Sequence, residues 1–224
     1  MNLLKIENVS KSFKNKKVLE DISFEINENE IFGLIGKNAS GKSTIINIIA
    51  GILKKDKGKI TFKGKEILYP DIFSYISICP ENPFFYNHLS LYDNYKFFSN
   101  IYENKENYEI LEMLKLKDFL KNKFKEVSKG TKQKLALSIF LWKDALLYIL
   151  DEPFENLDPE TRNLIFERIK ELKNKNKSVF ITTHRKEDIF ICDRVGILEN
   201  GKIKFIGSKN EEEINKFFNG NAQI

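Results

Sequence analysis

The chain has 224 residues, of which 42% are hydrophobic and 31% charged, a composition typical of a globular protein and not of a disordered or fibrous one. It contains no apolar run near the ~20 residues of a membrane-spanning helix, so any work at a membrane requires another subunit to provide the span. The 37 basic and 32 acidic residues give a net charge of +5, and the scattered lysines are weak evidence for nucleic-acid binding, which we do not expect.

The amino terminus carries an early acidic residue, Glu7, and alternates like a strand, so we expect no secretory signal peptide and a cytoplasmic location. The two cysteines, Cys79 and Cys192, are far apart in sequence and are not in metal-ligand spacing. They are predicted to be buried thiols.

The first 80 residues are predicted to form five short strands and one helix. Alternation and β-branched residues indicate the strands, and the helix is predicted over residues 42–52. The predicted strands are residues 3–9, 22–26, 31–35, 60–62 and 74–79. From residue 91 to about residue 124 apolar side chains recur every three to four positions, which indicates a helical lobe inserted into a sheet.

The second half alternates predicted helices, at residues 131–143 and 161–173, with buried strands at 146–150 and 178–182. This alternation is typical of a parallel α/β sheet. Residues 194–206 are predicted to form a β-hairpin, because Asn200-Gly201 suits a type I′ turn. Ser208 is predicted to cap a short terminal helix.

A glycine-rich loop follows the apolar strand 31–35 and precedes the predicted helix. Its pattern GxxxxGKS binds the phosphates of a nucleoside triphosphate, because backbone N–H groups curl around them and the helix adds its positive dipole end. Lys42 neutralises the outer phosphates, and the Ser43 hydroxyl is a ligand for Mg²⁺. The predicted phosphate-binding residues are Gly36, Lys37, Asn38, Ala39, Ser40, Gly41, Lys42, Ser43 and Thr44.

Two adjacent carboxylates end the apolar strand 146–150, at the edge where ligands bind in open α/β sheets. We expect Asp151 to hold Mg²⁺, largely through its water shell. Glu152 is predicted to orient or deprotonate the water that attacks the γ-phosphate.

Five further motifs follow in the order and spacing of one family. They are Phe13, the segment Ile-Cys-Pro-Glu at 78–81, Val-Ser-Lys-Gly-Thr at 127–131, Pro-Phe-Glu-Asn-Leu-Asp at 153–158 and Thr-Thr-His at 182–184. With these motifs the chain resembles the ATP-binding subunit of an ABC transporter over nearly its whole length. Ser-Lys-Gly-Thr-Lys-Gln at 128–133 resembles the ABC-2 type exporter branch.

The resemblance implies a role for each motif. Phe13 stacks on adenine, Val18 belongs to the same ATP site, and His184 hydrogen-bonds the γ-phosphate. The signature residues contact the γ-phosphate held by an opposing subunit, and they are Ser128, Lys129, Gly130 and Thr131. Asp158 belongs to the D-loop, and Glu81 approaches Mg²⁺ unless it is only a solvated acid after a proline.

The motifs depart from the family pattern at several positions. Glu81 stands where glutamine is commonest, and Asn156 replaces the usual D-loop glycine. The signature, usually written LSGGQ, differs at its first, third and fifth positions. Aromatic residues crowd the stretch after Glu81, where they either line a groove for a membrane subunit's coupling helix or fill the helical lobe.

The fold implied by the resemblance is an α/β P-loop NTPase (RecA-like) core with a mostly parallel sheet, an antiparallel N-terminal β subdomain and an inserted helical subdomain. One domain would span residues 1–224: core and β subdomain at 1–80 and 128–207, helical lobe at 81–127, and a C-terminal helix and tail at 208–224.

The function implied is ATP hydrolysis with Mg²⁺, by a homo- or heterodimer of such subunits on a separately encoded polytopic permease. Two alternatives stay open. A soluble ABC ATPase acting on nucleic acid or protein complexes commonly has tandem nucleotide domains, long coiled-coil insertions or zinc-binding cysteines, and the sequence has none of these. A regulatory module without significant hydrolysis is disfavoured by Glu152 and His184.

Overall fold

Nine strands and six helices make up the described part of the molecule, a computed structural model covering residues 1–14, 16–66, 70–101, 107–209 and 212–219. The strands are β1 (Asn2–Phe13), β2 (Lys16–Asn27), β3 (Ile31–Ile35), β4 (Lys57–Phe62), β5 (Ile76–Cys79), β6 (Leu147–Asp151), β7 (Ser178–Thr183), β8 (Arg194–Glu199) and β9 (Lys202–Ser208). The helices are α1 (Lys42–Ile49), α2 (Leu91–Ile101), α3 (Tyr108–Met113), α4 (Lys129–Phe140), α5 (Pro159–Asn174) and α6 (Glu212–Asn219).

The strands form two sheets. The larger has the order β5-β6-β7-β3-β8-β9, and all its pairs are parallel except β8 with β9. The smaller is antiparallel, with the order β2-β1-β4. Strands β3, β6 and β7 are buried at every position, because helices or the smaller sheet cover both of their faces. The predicted α/β fold with an antiparallel N-terminal sheet is confirmed.

Alternate residues of the central strands enter two different hydrophobic clusters, since successive side chains of a strand point to opposite faces. On one face Leu150 and Ile181 pack with residues of α4 and α5. On the other face Ile149 and Phe180 pack with α1 and with the smaller sheet. Burial of both faces fixes the register of the strands and therefore the positions of the loops that follow them.

Both cysteines are buried and free, as predicted. Burial is the main cause that raises the pKa of each thiol far above its ordinary value. The two side chains therefore behave as small apolar groups of the core.

The segment between β5 and α4 contains α2, α3 and two short 3₁₀ turns, Lys117–Phe119 and Phe124–Glu126. It lies in the interval for which the sequence predicts a helical lobe. Residues 102–106 of that interval, and residues 210–211 and 220–224 of the predicted tail, lie outside the described residues.

Several predicted boundaries were wrong. Strand β5 begins at Ile76, because Asp71–Ser74 forms a 3₁₀ turn, and α1 ends at Ile49, before Gly51 with a φ of +70°. Helix α4 begins at Lys129 and ends at Phe140, and β4 begins at Lys57. Ser208 does not cap the terminal helix: it is the last residue of β9, where it pairs with Arg194.

The hairpin β8–β9 turns at Asn200 and Gly201, whose φ values are +48° and +72°. A type I′ turn requires positive φ at both central residues, so the predicted turn is confirmed. The turn also supports the smaller sheet: the Gly201 carbonyl accepts a hydrogen bond of 2.8 Å from the Glu20 N–H, and a Cβ on Gly201 would lie 2.3 Å from the Val18 carbonyl oxygen.

Among the described residues, no helix has both the length and the apolar character needed to cross a membrane.

Gly201→Ala is expected to destabilise the protein more than Gly64→Ala does. The two glycines have nearly the same φ, +72° and +74°, so the left-handed strain of about 1–2 kcal/mol applies to both variants. Only Gly201 meets a backbone carbonyl, and this overpacking adds about 1–3 kcal/mol. The free energies of unfolding in urea measure the difference, and equal values would contradict the packing of the turn on β2.

Candidate active site

One cavity of ≈ 690 Å³ lies between the smaller sheet, the loop that follows β3 and the β8–β9 turn. Its size is that of a small-molecule site. The residues that line it are Phe13, Lys16, Lys17, Val18, Asn38, Ala39, Ser40, Gly41, Lys42, Ser43, Thr44, Glu81, Glu152, Glu155, Asn200 and Gly201.

Most of the predicted ATP-binding residues therefore share one cavity with Glu152. Gly36 and Lys37 stand at the start of the loop, outside the lining. Asp151 and His184 do not line the cavity, but Asp151 precedes Glu152 in the chain and His184 contacts the Glu152 carboxylate. The sequence reasoning missed Lys16, Lys17, Glu155, Asn200 and Gly201. The residue types of these five carry no distinctive signal. Only the fold brings the start of β2, the loop after β6 and the β8–β9 turn towards the phosphate-binding loop.

The loop from Gly36 to Ser43 is held in place by its backbone. The Gly36 N–H donates to the Thr183 carbonyl over 3.1 Å, which ties the start of the loop to the end of β7. A Cβ on Gly36 would lie 2.4 Å from Ser40 Oγ and 2.7 Å from the Leu198 carbonyl oxygen, so no larger residue fits. Gly41 has a φ of +111° at the start of α1, whose first turn contains no acidic residue. The result is a tight loop that leads into an uncompensated helix N-terminus.

Lys42 lies at the centre of this loop. Its ammonium donates to the carbonyls of Gly36, at 2.7 Å, and Lys37, at 3.2 Å, and it lies 3.1 Å from Glu152 Oε1. The Lys42 and Glu152 residues are only 5% and 7% exposed. Among the described residues Oε1 thus has an ion-pair partner but no contact with the geometry of a hydrogen bond.

Glu152 stands directly after β6 in a left-handed conformation, with a φ of +49°. Such strain costs roughly 1–3 kcal/mol in a non-glycine residue and is typical of active sites. Its N–H donates to the Thr182 carbonyl over 3.1 Å, and its Oε2 lies 3.0 Å from Nδ1 of His184. The carboxylate is thus held between Lys42 and His184.

Asp151 is 3% exposed and accepts a hydrogen bond of 2.5 Å from the Thr182 hydroxyl. It is the last residue of β6, beside Thr182 of β7. Two buried carboxylates, Asp151 and Glu152, therefore lie at the end of β6, and the Lys42 ammonium contacts the second of them.

Glu81 follows β5 and reaches the same cavity. Desolvation is the main cause that raises the pKa of its carboxyl, and the charges of Asp151, Glu155 and Glu152 raise it further. Four carboxyl groups, those of Glu81, Asp151, Glu152 and Glu155, are therefore close enough at this end of the sheet to affect one another.

The residues predicted to bind Mg²⁺ fit a hydrated divalent cation. Among the described residues no three His, Cys, Asp or Glu side chains form a metal cage. Mg²⁺ in nucleotide sites keeps several waters and uses one or two protein ligands beside the phosphates. The excess of buried carboxylate charge, and an Oε1 atom of Glu152 without a donor, are what a cation with bound water would satisfy.

The signature residues do not line the 690 Å³ cavity of their own chain. Ser128 caps α4, its Oγ accepting from the Thr131 N–H over 3.1 Å, and Ser128 and Lys129 are exposed. A Cβ on Gly130 would lie 2.4 Å from the Asn156 carbonyl oxygen. The N-terminus of α4 thus lies against the loop 153–158 and faces outward.

Asp158 fixes the other end of that loop. Its carboxylate caps α5 by accepting from the Thr161 N–H over 2.9 Å, and it lies 2.7 Å from Lys134 Nζ on α4. The hydrogen bond from Lys134 is the main cause that lowers the pKa of Asp158 well below its ordinary range, and the Thr161 N–H adds to it. Asn156, in the middle of the loop, has a φ of +58°, a conformation that asparagine tolerates.

A second cavity of ≈ 290 Å³ lies between this loop, the N-terminal half of α4 and the segment after β5. Glu81 and Glu155 line both cavities. The loops that follow β5 and β6 are therefore shared between the larger cavity and the outward-facing end of α4.

Comparison with known proteins identifies similar chains. The family model described as "ABC transporter" matches residues 19–155. The chain is 34% identical over 218 residues to the linearmycin resistance ATP-binding protein LnrL of Bacillus subtilis, with 93% of this chain and 70% of that protein covered. It is 33% identical over 219 residues to the lantibiotic transport ATP-binding protein SrtF of Streptococcus pyogenes, with 95% of each covered.

The chain spans only part of some longer relatives. It is 38% identical over 205 residues to ABC transporter A family member 11 of Dictyostelium discoideum, with 87% of this chain but 24% of that protein covered. Among solved structures, an ATP-binding subunit of an ABC transporter matches with a TM-score of 0.82 and 31% identity, covering 97% of this chain and 93% of that one.

Asp158→Asn is expected to make stability less dependent on pH in acid. Because the folded-state pKa lies below the ordinary value of 3.8, the stabilisation is complete above that value and is lost as the pH falls below it. Urea unfolding from about pH 5 to about pH 2 should show a smaller loss in the variant than in the wild type. Lys134→Met removes the largest cause and should show part of the same change, whereas parallel curves for all three proteins would contradict the prediction.

Proposed function

The chain belongs to the ABC transporter family of ATP-hydrolysing subunits, and from this premise we propose that it works as a dimer that powers a separately encoded membrane permease of the exporter type. The main support for the proposal is the arrangement of charged side chains around Glu152 in the cavity. There Lys42 and His184 hold the two oxygens of the strained Glu152, at 3.1 Å and 3.0 Å, beside a phosphate-type loop.

ATP enters the cavity with its phosphates on the loop. Backbone N–H groups of residues 36–44 and the dipole of α1 receive the phosphates, and the Lys42 ammonium exchanges carbonyl partners for phosphate oxygens. Phe13 is 46% exposed and lines the same cavity as Val18, so its ring is accessible for stacking on adenine, and Lys11 Nζ lies 5.5 Å from the ring centroid.

Hydrolysis proceeds through Glu152. One water molecule attacks the γ-phosphorus, its proton passes to the Glu152 carboxylate, and the bond between the γ-phosphorus and the bridging oxygen breaks to leave ADP and phosphate. His184 Nδ1 lies 3.0 Å from Glu152 Oε2 and orients that carboxylate. In the proposed mechanism His184 would also hydrogen-bond the γ-phosphate. Bound Mg²⁺ would be held by Ser43 and, through water, by Asp151 and Glu81, and it would neutralise charge on the phosphates.

A second subunit completes the site. Ser128, Lys129, Gly130 and Thr131 stand at a helix N-terminus, a natural anion site, yet they do not line the cavity of their own chain. In a dimer they would close the nucleotide site of the partner, with the loop that ends at Asp158 beside the contact. Closure on ATP and reopening after hydrolysis would supply the work done on the permease.

The helical lobe supplies a surface for the permease. Phe85 and Phe98 pack against the core and against each other, with ring centroids 4.9 Å apart. Phe84, Tyr86 and Phe97 are 95%, 43% and 41% exposed, next to the segment of Glu81. Some rings of this aromatic stretch therefore fill the lobe, and the exposed rings support the proposal of a permease contact on its surface. The names of two relatives, which refer to lantibiotic transport and linearmycin resistance, favour an exporter.

Glu152→Gln is expected to keep ATP binding and to lose turnover by about 10²–10⁴-fold, because an amide does not accept the proton of the attacking water. Glu155→Gln is the matched control, since Glu155 lines the same cavity without the His184 contact. Fluorescent-nucleotide binding and phosphate release measure the two properties. Full turnover in Glu152→Gln would contradict the role of Glu152 as the proton acceptor.

Lys42→Met should instead weaken nucleotide binding itself.

Mixing two inactive variants is expected to restore activity. Lys42→Met damages the phosphate loop and Ser128→Arg damages the signature, so each alone gives a dimer with no intact site. A mixed dimer has one site in which an intact loop faces an intact signature. Phosphate release from the mixture, compared with each variant alone, tests the exchange of residues between subunits, and no recovery despite mixed dimers in crosslinking would contradict it.

A further inference from the structure

We propose that the buried ion pair between Asp188 and Arg162 positions the switch residue His184 against Glu152 and links it to the loop 153–158. The inference rests on the proposed function, in which His184 and Glu152 act at the γ-phosphate. Neither Asp188 nor Arg162 lines the cavity, so both are positioning residues.

Asp188 is the centre of the link. It lies in the 3₁₀ turn Lys186–Ile191 and is 2% exposed. Its Oδ2 accepts a hydrogen bond of 2.5 Å from the Thr183 hydroxyl, and its Oδ1 is in direct contact with the Arg162 guanidinium of α5. Three elements, β7, the turn and α5, therefore meet at one carboxylate.

This carboxylate controls the residues on both sides of His184. Thr183 precedes His184, and the Thr183 hydroxyl accepts a hydrogen bond of 3.0 Å from the N–H of Arg185, which follows it. The Thr183 carbonyl also accepts from the Gly36 N–H of the phosphate loop. His184 itself is held only through Nδ1 and Glu152 among the interactions that the structure describes, so its backbone anchors set the direction of its ring.

Arg162 carries the link to the loop 153–158. Its N–H donates to the Asp158 carbonyl over 2.9 Å in the first turn of α5. Its guanidinium lies 5.7 Å from the ring centroid of Phe154, two residues after Glu152, and 5.3 Å from that of Phe166. A displacement of this loop by a second subunit would therefore act on the same ion pair that orients His184.

A contribution to stability does not by itself account for the ion pair between Asp188 and Arg162. Desolvation is the main cause that raises the pKa of Asp188, which shows that the carboxylate is held in an unfavourable environment. The charged groups around it are Arg162, Arg185 and Glu187. The buried Nε of Arg162 has no hydrogen-bond partner among the described residues. A buried ion pair is weak evidence for stability, because desolvation offsets its attraction, and departures from full polar satisfaction are expected at functional sites.

The chain contains a matched ion pair far from the site. Glu30 is 5% exposed and accepts a hydrogen bond of 2.9 Å from Arg194, whose guanidinium lies 5.6 Å from the ring centroid of Phe32. This pair also joins a buried acid to an arginine stacked on phenylalanine. It lies at the opposite end of the central strands, so Glu30→Gln reports what loss of such a pair does to the fold alone.

The experiment compares Asp188→Asn and Thr183→Val with Glu30→Gln. The chain has two histidines, so ¹⁵N-histidine labelling gives His184 one imidazole signal set and His88 another as an internal reference. In Asp188→Asn and Thr183→Val we expect the Nδ1 resonance of His184 to shift and that of His88 to stay. Turnover should fall about 10–100-fold, the range for a small misplacement of a catalytic group, with a smaller change in KM for ATP. Asp188→Glu should recover part of both.

Two results would overturn the inference. One is an unchanged His184 resonance with full turnover in Asp188→Asn. The other is a set of changes no larger than those of Glu30→Gln at equal loss of thermal stability. If the wild-type chain shows no turnover that Glu152→Gln abolishes, the proposed catalytic function fails, and the imidazole resonance alone upholds or overturns the positioning role.

Discussion

The parallel pairing of β6, β7 and β3 is the constraint on which the site depends. Their order brings three carboxyl ends together at one edge of the sheet, and the register places Asp151 beside Thr182 and Thr183 beside Ile35. Each end continues into a different functional segment: the phosphate loop after β3, the carboxylates at the end of β6, and His184 after β7. Because both faces of these strands are buried, a slip of one residue would exchange side chains between the two hydrophobic clusters, and the packing of the core therefore fixes the register.

The charged side chains at these strand ends determine the electrostatics of the site. Lys42 is held by carbonyls of its own loop and by Glu152, while Glu152 also contacts His184. Asp151 and Glu81 add negative charge that a single ammonium does not neutralise. The charges and hydrogen-bonding atoms of this site are thus incompletely satisfied within the chain. In the proposed function, phosphate, a hydrated cation and the attacking water would satisfy them. The strained backbone of Glu152 belongs to the same arrangement.

The N-terminus of α4 is exposed, and in the proposed dimer it would supply a second anion site. Gly130 fits against the Asn156 carbonyl, and Lys134 holds Asp158, so the signature segment and the loop 153–158 are packed as one unit. Arg162 joins that unit to the turn after His184. A contact made by a second subunit at this surface would therefore reach the catalytic carboxylate through packed side chains and hydrogen bonds, without passing through the nucleotide.

The sequence by itself determined the phosphate loop, the two carboxylates at the end of β6 and the alternation that specifies a parallel sheet. These features are local: a spacing of glycines, an apolar run or a turn dipeptide such as Asn200-Gly201 acts through its neighbours in the chain. The tertiary structure alone decided that Lys16, Lys17, Glu155 and the β8–β9 turn line the cavity, and that Asp188 meets Arg162. It also decided that Ser208 ends a strand and does not cap a helix. Such contacts join residues distant in sequence, and their residue types are ordinary surface or turn types, so only the packing of the sheets and helices brings them together.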